Sequence, residues 1–426
     1  MMARGNSGPD PGGREDRMKI LIISQHFWPE SFRINEVVGS LRAAGCEVSV
    51  LTGQPNYPEG DVFDGYCAWG AGSECHPSGY TVYRVPVYPR GQRSSLGLVA
   101  NYLSFVGSAA LVAPWLLRGQ RFDLIFVYGT SPILQALPAI VLKHVKRAKL
   151  VTWVQDLWPE SLEATGHVRD PRLLRGVAAV VRWIYRRNDL LLAQSKAFLP
   201  IVRAMAGPIP VEYHPNPGES AFAVQASQDL PALVLEPGFN IVFAGNLGTV
   251  QALDTVLDAA QQLLAFPDVR FVLLGSGSRS KWLHGEIARR ALGNVKLPGR
   301  FPSGTMPGIL SQASALLVSL VRSPIMSLTV PSKVQAYLAA GRPVIASMEG
   351  AGAQVVEEAG AGIACPAEDA AALVAAVLRL RAETPEQLAR MGQAGRDYYQ
   401  RNFDPALLAA KLTHRFTELT RGRAVP

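Results

Sequence analysis

Cysteine is scarce: the 426-residue chain has four, Cys46, Cys67, Cys75 and Cys365. None forms a C-x-x-C pair, so the sequence writes neither a disulfide framework nor a zinc or redox motif, and a reducing cytosol is the simplest home. There is no Asp-x-Asp pair and no histidine cluster at ligand spacing, which argues against a catalytic metal. The GSGS run at 275–278 stops short of G-x-G-x-x-G, so a dinucleotide-dependent dehydrogenase has little support. Zinc-finger spacing and an RNP-like aromatic strand are missing, and nucleic acid drops out as a partner. No tandem repeat of solenoid length occurs. The first 17 residues, MMARGNSGPDPGGREDR, have no apolar h-region and read as a disordered tail, 1–17, rather than a signal peptide or part of a fold.

What is present begins with an uneven charge. The whole chain carries a formal +8, whereas Tyr80 to Met205 holds 17 Lys and Arg against 6 Asp and Glu, a local excess of +11. That half suits a polyanionic partner, either an anionic membrane surface or a phosphorylated substrate. Residues 94–117 contain no charge, and Arg90, Arg93 and Arg118 bracket them. Asn101, Ser104, Ser108 and Pro114 dilute the run, so it reads as a domain helix lying on or dipping into a membrane surface. A buried core helix or a true span are the alternatives. The arginines of the helix expected at 172–187 are either a solvated face or contacts for lipid phosphates.

Elsewhere the chain alternates buried apolar runs with amphipathic helices. Lys19 to Ser24, Cys46 to Thr52, Phe122 to Tyr128, Leu150 to Val154, Leu190 to Ala193 and Val211 to Tyr213 read as strands of a first doubly wound parallel sheet. The stretch 53–79, rich in Gly, Pro, Tyr and Asp, reads as a long loop or insertion. Asn240 to Ala244, Arg270 to Leu274, Val295 to Leu297, Ala315 to Leu320 and Val344 to Ala346 build a second sheet. The expectation is an α/β protein with Rossmann-like domains at 18–225 and 226–402, and a last segment, 403–426, that crosses back to the first.

Two such domains imply a ligand cleft at the carboxyl ends of their strands. The stretch SLTVPSKVQAYLAAGRPVIAS, 327–347, reads as a loop, a helix start with Thr329 as cap and Pro331 in the first turn, a stop at Gly341, and a strand. Its free N–H groups and Lys333 suit a phosphate group, although the same stretch also fits an ordinary capped helix. Loops at 245–248, 275–278 and 299–301 follow strands and carry glycines that let backbone donors approach phosphate oxygens. From the first half come QHFWPESFR, GTSP and WVQDLWPE. Asp156, just past a strand, can accept a proton from a hydroxyl nucleophile or cap a helix. His26 can bond a phosphate or a sugar hydroxyl, or serve structure only.

In that order ISQHFWPESFRINEV, LTGQPNYPEG, WVQDLWPES, FAGNLGTVQALDTV, NVKLPGR and VPSKVQAYLAAGRPVIA resemble the family 4 (group 1) glycosyltransferases of GT-B fold. They are most similar to the bacterial branch that builds colanic acid, O-antigen and capsule, including fucosyl- and N-acetylfucosaminyltransferase-like members. The resemblance spans about Met18 to Leu419. It implies two Rossmann-like domains facing across a cleft and hexosyl transfer from a nucleotide diphosphate sugar, usually retaining, with no cofactor or metal. The acceptor would be lipid-linked, such as a polyprenyl diphosphate, or a saccharide. The enzyme would sit peripherally on the cytoplasmic face of the inner membrane.

Carried over by position, the turn Gly245, Asn246, Leu247 and Gly248 and the helix start Leu328, Thr329, Val330, Ser332 and Lys333 hold the donor. Arg300 and Phe301 lie beside the base. Asp156 and Lys333 are the catalytic candidates, and His26, Phe32, Arg33 and Thr130 form the acceptor or phosphate side. The chain departs from the broad pattern at the GRL…KG motif, where it has Asn246 and Gln251, and at the two glutamates of E-x7-E, where it has Leu328 and Ala336. The cationic clamp then falls to Lys333 and Arg300, with Arg33 or Arg322, and apolar Leu328 can face the methyl group of a 6-deoxy donor. A non-hydrolysing nucleotide-sugar epimerase and a non-catalytic partner subunit of another transferase are the competing readings.

Overall fold

The computed structural model describes residues 17–91, 95–164, 170–218 and 233–422. The expected tail, apart from Arg17, and the expected domain junction near residue 225 lie outside the described residues.

Eight strands form the first sheet: β1 (Lys19–Ile23), β2 (Glu47–Gly53), β3 (Gly72–Cys75), β4 (Thr81–Val85), β5 (Leu124–Gly129), β6 (Lys149–Val154), β7 (Leu190–Ala193) and β8 (Val211–Tyr213). Their order is β3-β4-β2-β1-β5-β6-β7-β8. β1 pairs in parallel with both β2 and β5, Ile22 lying opposite Val50 and Phe126. Chain order therefore reverses on either side of β1, the arrangement that opens a crevice at the strand ends. β3 is antiparallel to β4, and neither strand was expected: β3 is four residues of alternating burial inside the Gly- and Pro-rich stretch 53–79, and β4 is a mostly buried run of only five residues directly after it.

The second sheet has six strands, β9 (Phe239–Ala244), β10 (Val269–Leu274), β11 (Val295–Gly299), β12 (Ala315–Ser319), β13 (Val344–Ser347) and β14 (Gly362–Cys365). Their order is β11-β10-β9-β12-β13-β14, all in parallel pairs. Ile241, Phe243, Phe271 and Leu317 enter one core layer, and Val242, Val272, Leu316 and Val318 the other. Alternation along strands buried on both faces explains why the sequence shows continuous apolar runs there.

By backbone proximity the chain falls into two compact units, Met1–Tyr128 with Leu134–Val151 and Leu412–Pro426, and Gly129–Ile133 with Thr152–Lys411. In the first, the last helix, Pro405–Arg421, sets Phe416 against Phe126 with ring centroids 5.3 Å apart.

The uncharged run forms helix Ser95–Leu116. It is neither wholly buried nor featureless. Asn101 is fully buried and donates to the Tyr88 carbonyl at 2.7 Å. Ser104 Oγ accepts from the Tyr88 N–H at 2.8 Å and Ser108 Oγ donates to the Pro86 carbonyl at 2.5 Å. Phe105, Ala109 and Ala113 bury the same side. The opposite face leaves Leu96, Leu111 and Trp115 82%, 81% and 70% exposed. The polar residues that dilute the run are thus its ties to the fold, which corrects the core-helix alternative. Among the described residues this is the one helix long and apolar enough to cross a membrane.

Candidate active site

The site is built from the ends of β9, β10 and β11 and from helix Ser332–Ala340, all in the second unit. Gly245 and Gly275 follow β9 and β10 with φ of 140° and 134°, a region that side chains rarely adopt. A Cβ on Gly275 would stand 1.9 Å from the Gly245 carbonyl oxygen, and one on Gly245 would stand 2.6 Å from Lys333 Cε. These glycines let two loops and one lysine share the same space.

Helix Ser332–Ala340 starts differently from the expectation. Its N-cap is Pro331, with no side-chain cap, and the Thr329 hydroxyl instead donates backward to the Met326 carbonyl at 3.1 Å. A proline cap offers no side-chain acceptor, so the N–H groups of Ser332 and Lys333 have no partner among the described residues. At the other end Gly341 takes φ 68° as the left-handed cap. Val334, Tyr337 and Leu338 are buried, and the Tyr337 hydroxyl accepts from the Ala244 N–H at 2.8 Å. The helix is thereby fixed to the end of β9.

Lys333 is the central charge. Its ammonium donates to Gln251 Oε1 and lies 3.8 Å from the centroid of the Phe243 ring. No carboxylate pairs with it among the described residues. Burial pulls its pKa down from 10.5 to about 7, because a desolvated ammonium with one neutral partner is costly to keep charged. Gln251 occupies the position where the broad pattern has lysine, and it is the residue that holds Lys333.

Two cavities meet at Gly245, Asn246 and Met306. One, of 350 Å³, is lined also by Gln251, Ser332, Lys333 and Ala336. The other, of 670 Å³, adds Ser276, Arg300, Phe301 and Ser303. Of the expected donor residues, Gly245, Asn246, Arg300, Phe301, Ser332 and Lys333 therefore come together. Leu247 is buried, and Gly248 caps the short turn that carries Gln251. Val330 packs against the core, and Leu328 offers its carbonyl to Ser195 Oγ at 2.5 Å. Arg322 is not free for a clamp: it bonds Glu349 at 2.9 Å.

At the end of β6, Asp156 accepts from Ser161 Oγ. Gln155 Nε2, Glu160 Oε2 and the Tyr185 hydroxyl are buried with no hydrogen-bond partner among the described residues. The Tyr185 pKa is pushed up by burial and then by Glu160 and Asp156. Thr130 follows β5, in the loop where Ser131 Oγ accepts from Trp158 Nε1 at 2.7 Å. In the first unit, His26 follows β1 and stacks on Phe32, with centroids 5.2 Å apart, while Arg33 opens the next helix. Glu30, which sequence reasoning passed over, lies 3.1 Å from His26 Nδ1 and accepts from three backbone amides. Its signal was the Trp-Pro-Glu run itself, read only as part of a loop. Among the described residues no three of His, Cys, Asp and Glu gather as a metal site.

Two family models match the chain: "Glycosyl transferase 4-like domain" over residues 31–217 and "Glycosyl transferases group 1" over 238–383. The chain is a group 1 glycosyltransferase. The transferase is 27% identical to WcaI of Escherichia coli K12, a glycosyl transferase named for colanic acid biosynthesis, over 78% of its own length and 84% of that protein. It is 25% identical to the Pseudomonas aeruginosa protein WbjE, named as a glycosyltransferase, over 74% and 79%. Sucrose-phosphate synthase from Thermosynechococcus elongatus shares the fold, with a TM-score of 0.72 at 18% identity, covering 95% of this transferase and all of that chain. The GT-B fold with its two parallel-sheet α/β domains is thereby established for it.

Proposed function

We propose that this transferase moves a hexose, a 6-deoxy or N-acetylated one, from a nucleoside diphosphate donor to a lipid-linked or saccharide acceptor during cell-surface polysaccharide synthesis, with retention and without a metal. The observation that carries the reading is Lys333, a buried amine with no carboxylate partner among the described residues, at an uncapped helix start facing glycine loops. An anion there would regain for the amine what burial removed. In the reaction the bond from the anomeric carbon to the diphosphate oxygen breaks and its electron pair stays on the phosphate, while the acceptor hydroxyl oxygen bonds that carbon and its proton passes to Asp156. Lys333 and the Ser332 and Lys333 N–H groups would meet that charge where it forms. Arg300 and Phe301 would flank the base, Asn246 and the 329–332 turn the diphosphate, and Leu328 and Ala336 a donor sugar with fewer hydroxyls to bond. Asp156 would face the acceptor.

A thermal-shift panel of UDP, GDP and ADP tests the donor site: one nucleotide raising the melting temperature supports it and names the base. Nucleotide binding with no sugar transfer to any acceptor would favour the non-catalytic partner subunit. Lys333→Ala should lower turnover by about two to three orders of magnitude, and near-normal turnover would remove Lys333 from the mechanism. The pH dependence has a definite sign. Above about 7, where free Lys333 is neutral, binding a diphosphate must take up a proton, so affinity falls by up to about tenfold per pH unit. Calorimetry at pH 8 in buffers of different ionisation heat should register that uptake. Without ligand the unfolded chain binds more protons between about 7 and 10.5, so stability should rise with pH across that window.

The reading places the enzyme in the cytoplasm against the anionic inner face of the membrane. Support comes from the exposed apolar face of helix Ser95–Leu116 and from the basic residues around it in sequence. A Leu103→Asp, Leu111→Asp double variant should lose binding to vesicles containing anionic lipid; unchanged cosedimentation would refute that placement.

A further inference from the structure

The amine at the helix start is held from outside its own helix. Gln251 ends the short turn 249–251 after β9, and its Oε1 accepts from Lys333 Nζ. That turn is itself pinned. The Gln251 N–H donates to the Gly248 carbonyl at 3.3 Å, and the Val250 carbonyl accepts from the Val321 N–H, just past β12, at 3.0 Å. The next residue, Ala252, is buried at φ 45° and ψ 43°, a left-handed conformation that alanine avoids and that persists only where the surroundings impose it. Gln251 is buried in turn. A rigid, neutral acceptor therefore stands opposite the amine, with both groups lining the same cavity.

No charge competes with that contact. Burial alone lowers the Lys333 pKa, and the one other titratable group lining the cavity, Tyr337, has its hydroxyl bonded to Ala244. Asp254 and Arg279, beside the turn, pair with each other at 3.0 Å, and Arg300 lines the adjoining cavity. From the elements packed on the lysine's helix, Arg396 bonds Ala340 at the far end and Glu358 pairs with Lys196. Helix Met306–Leu310 brings no charge.

We infer that Gln251 is the positioning residue for Lys333: it fixes the amine across the cavity without pairing off its charge, and the two side chains form one exchangeable pair. The cation's place in the cavity, rather than its place in the chain, is then what the leaving phosphate needs. This rests on the transferase reading, in which Lys333 meets the phosphate, and adds the residue that aims it. A carboxylate at 251 would hold the amine as well but would leave a fixed negative charge beside the diphosphate. An apolar side chain would leave the amine without a partner. A carboxamide holds it by a bond of ordinary strength, which a charge-assisted one to an arriving anion can replace.

Carbon-13 spectra of the lysine-labelled full chain, with Lys333→Gln assigning the resonance, follow the amine without any ligand. Its midpoint, about 7 in the wild type, should fall in Gln251→Met, which removes the acceptor. It should rise by about one pH unit or more in Gln251→Glu, which adds an opposite charge. Calorimetry with inorganic pyrophosphate then reads the site. Gln251→Met should weaken binding about tenfold and Lys333→Gln more, while the reciprocal Gln251→Lys, Lys333→Gln double variant should return to within about threefold of the wild type, which independent sites would not do. Thermal melts check that each variant folds. The inference is overturned if the Gln251 variants leave the Lys333 midpoint in place, if Gln251→Met binds pyrophosphate as the wild type does, or if the double variant is as weak as Lys333→Gln. A wild type that binds neither pyrophosphate nor any nucleoside diphosphate defeats the donor reading instead, and the titration still decides whether Gln251 governs the amine.

Discussion

The tetrapeptide Trp-Pro-Glu-Ser occurs twice, at 28–31 and 158–161, each time just after a strand of the same sheet, and the two copies do opposite things. In the first, Glu30 is saturated by three amides and an imidazole. It ties the loop after β1 to the loop after β2 and holds the His26 imidazole. In the second, Glu160 keeps a buried oxygen with no partner beside Asp156 and a Tyr185 hydroxyl that is equally unpartnered. Identical residues end in different roles because the neighbouring chain supplies donors to one carboxylate and a buried phenol to the other. A carboxylate whose lone pairs are all used holds structure. One left short keeps an unmet acceptor inside the fold.

That contrast can be broken at three points. Asp156→Asn keeps the shape and removes the basic oxygen. Transfer should fall by about two orders of magnitude or more with nucleotide affinity unchanged, and a wild-type rate would remove Asp156 from the acceptor side. Glu30→Ala strips one acceptor from three amides. It should cost about 3 kcal/mol or more in a denaturant titration, at about 1 kcal/mol or more for each orphaned donor; a midpoint within error of the wild type would show the staple to be dispensable. The smallest effect belongs to Glu160→Gln, which keeps volume and removes a poorly paired charge. Its stability should change by less than about 1 kcal/mol, and a loss as large as that of Glu30→Ala would erase the difference between the two copies.

Much of this was legible beforehand. Continuous apolar runs marked the buried parallel strands, and Gly245, Asn246, Arg300, Phe301 and Lys333 were picked out before their cavities were known. Three things were not. β3 hides because a short, half-polar edge strand looks like loop, and β4 because its five mostly buried residues directly follow that loop-like stretch. Thr329 was expected to cap because its residue type suits the role, but capping depends on backbone geometry, and Pro331 occupies that place. Glu30 was overlooked because its partners at Asn56 and Tyr57 are far along the chain and nothing local announces them.

By itself the sequence determined the α/β rhythm, both sheets' buried runs and a lysine at a helix start. These follow from local periodicity, glycine and proline, which act over a few residues. The tertiary structure alone decided that Lys333 meets Gln251 and no carboxylate, that Asn101 ties down a helix that reads as apolar, and that one Trp-Pro-Glu-Ser is filled while its twin is not. Each is a matter of which donors and acceptors long-range packing brings to a buried group, and a buried polar group takes its energy from those neighbours rather than from its own identity.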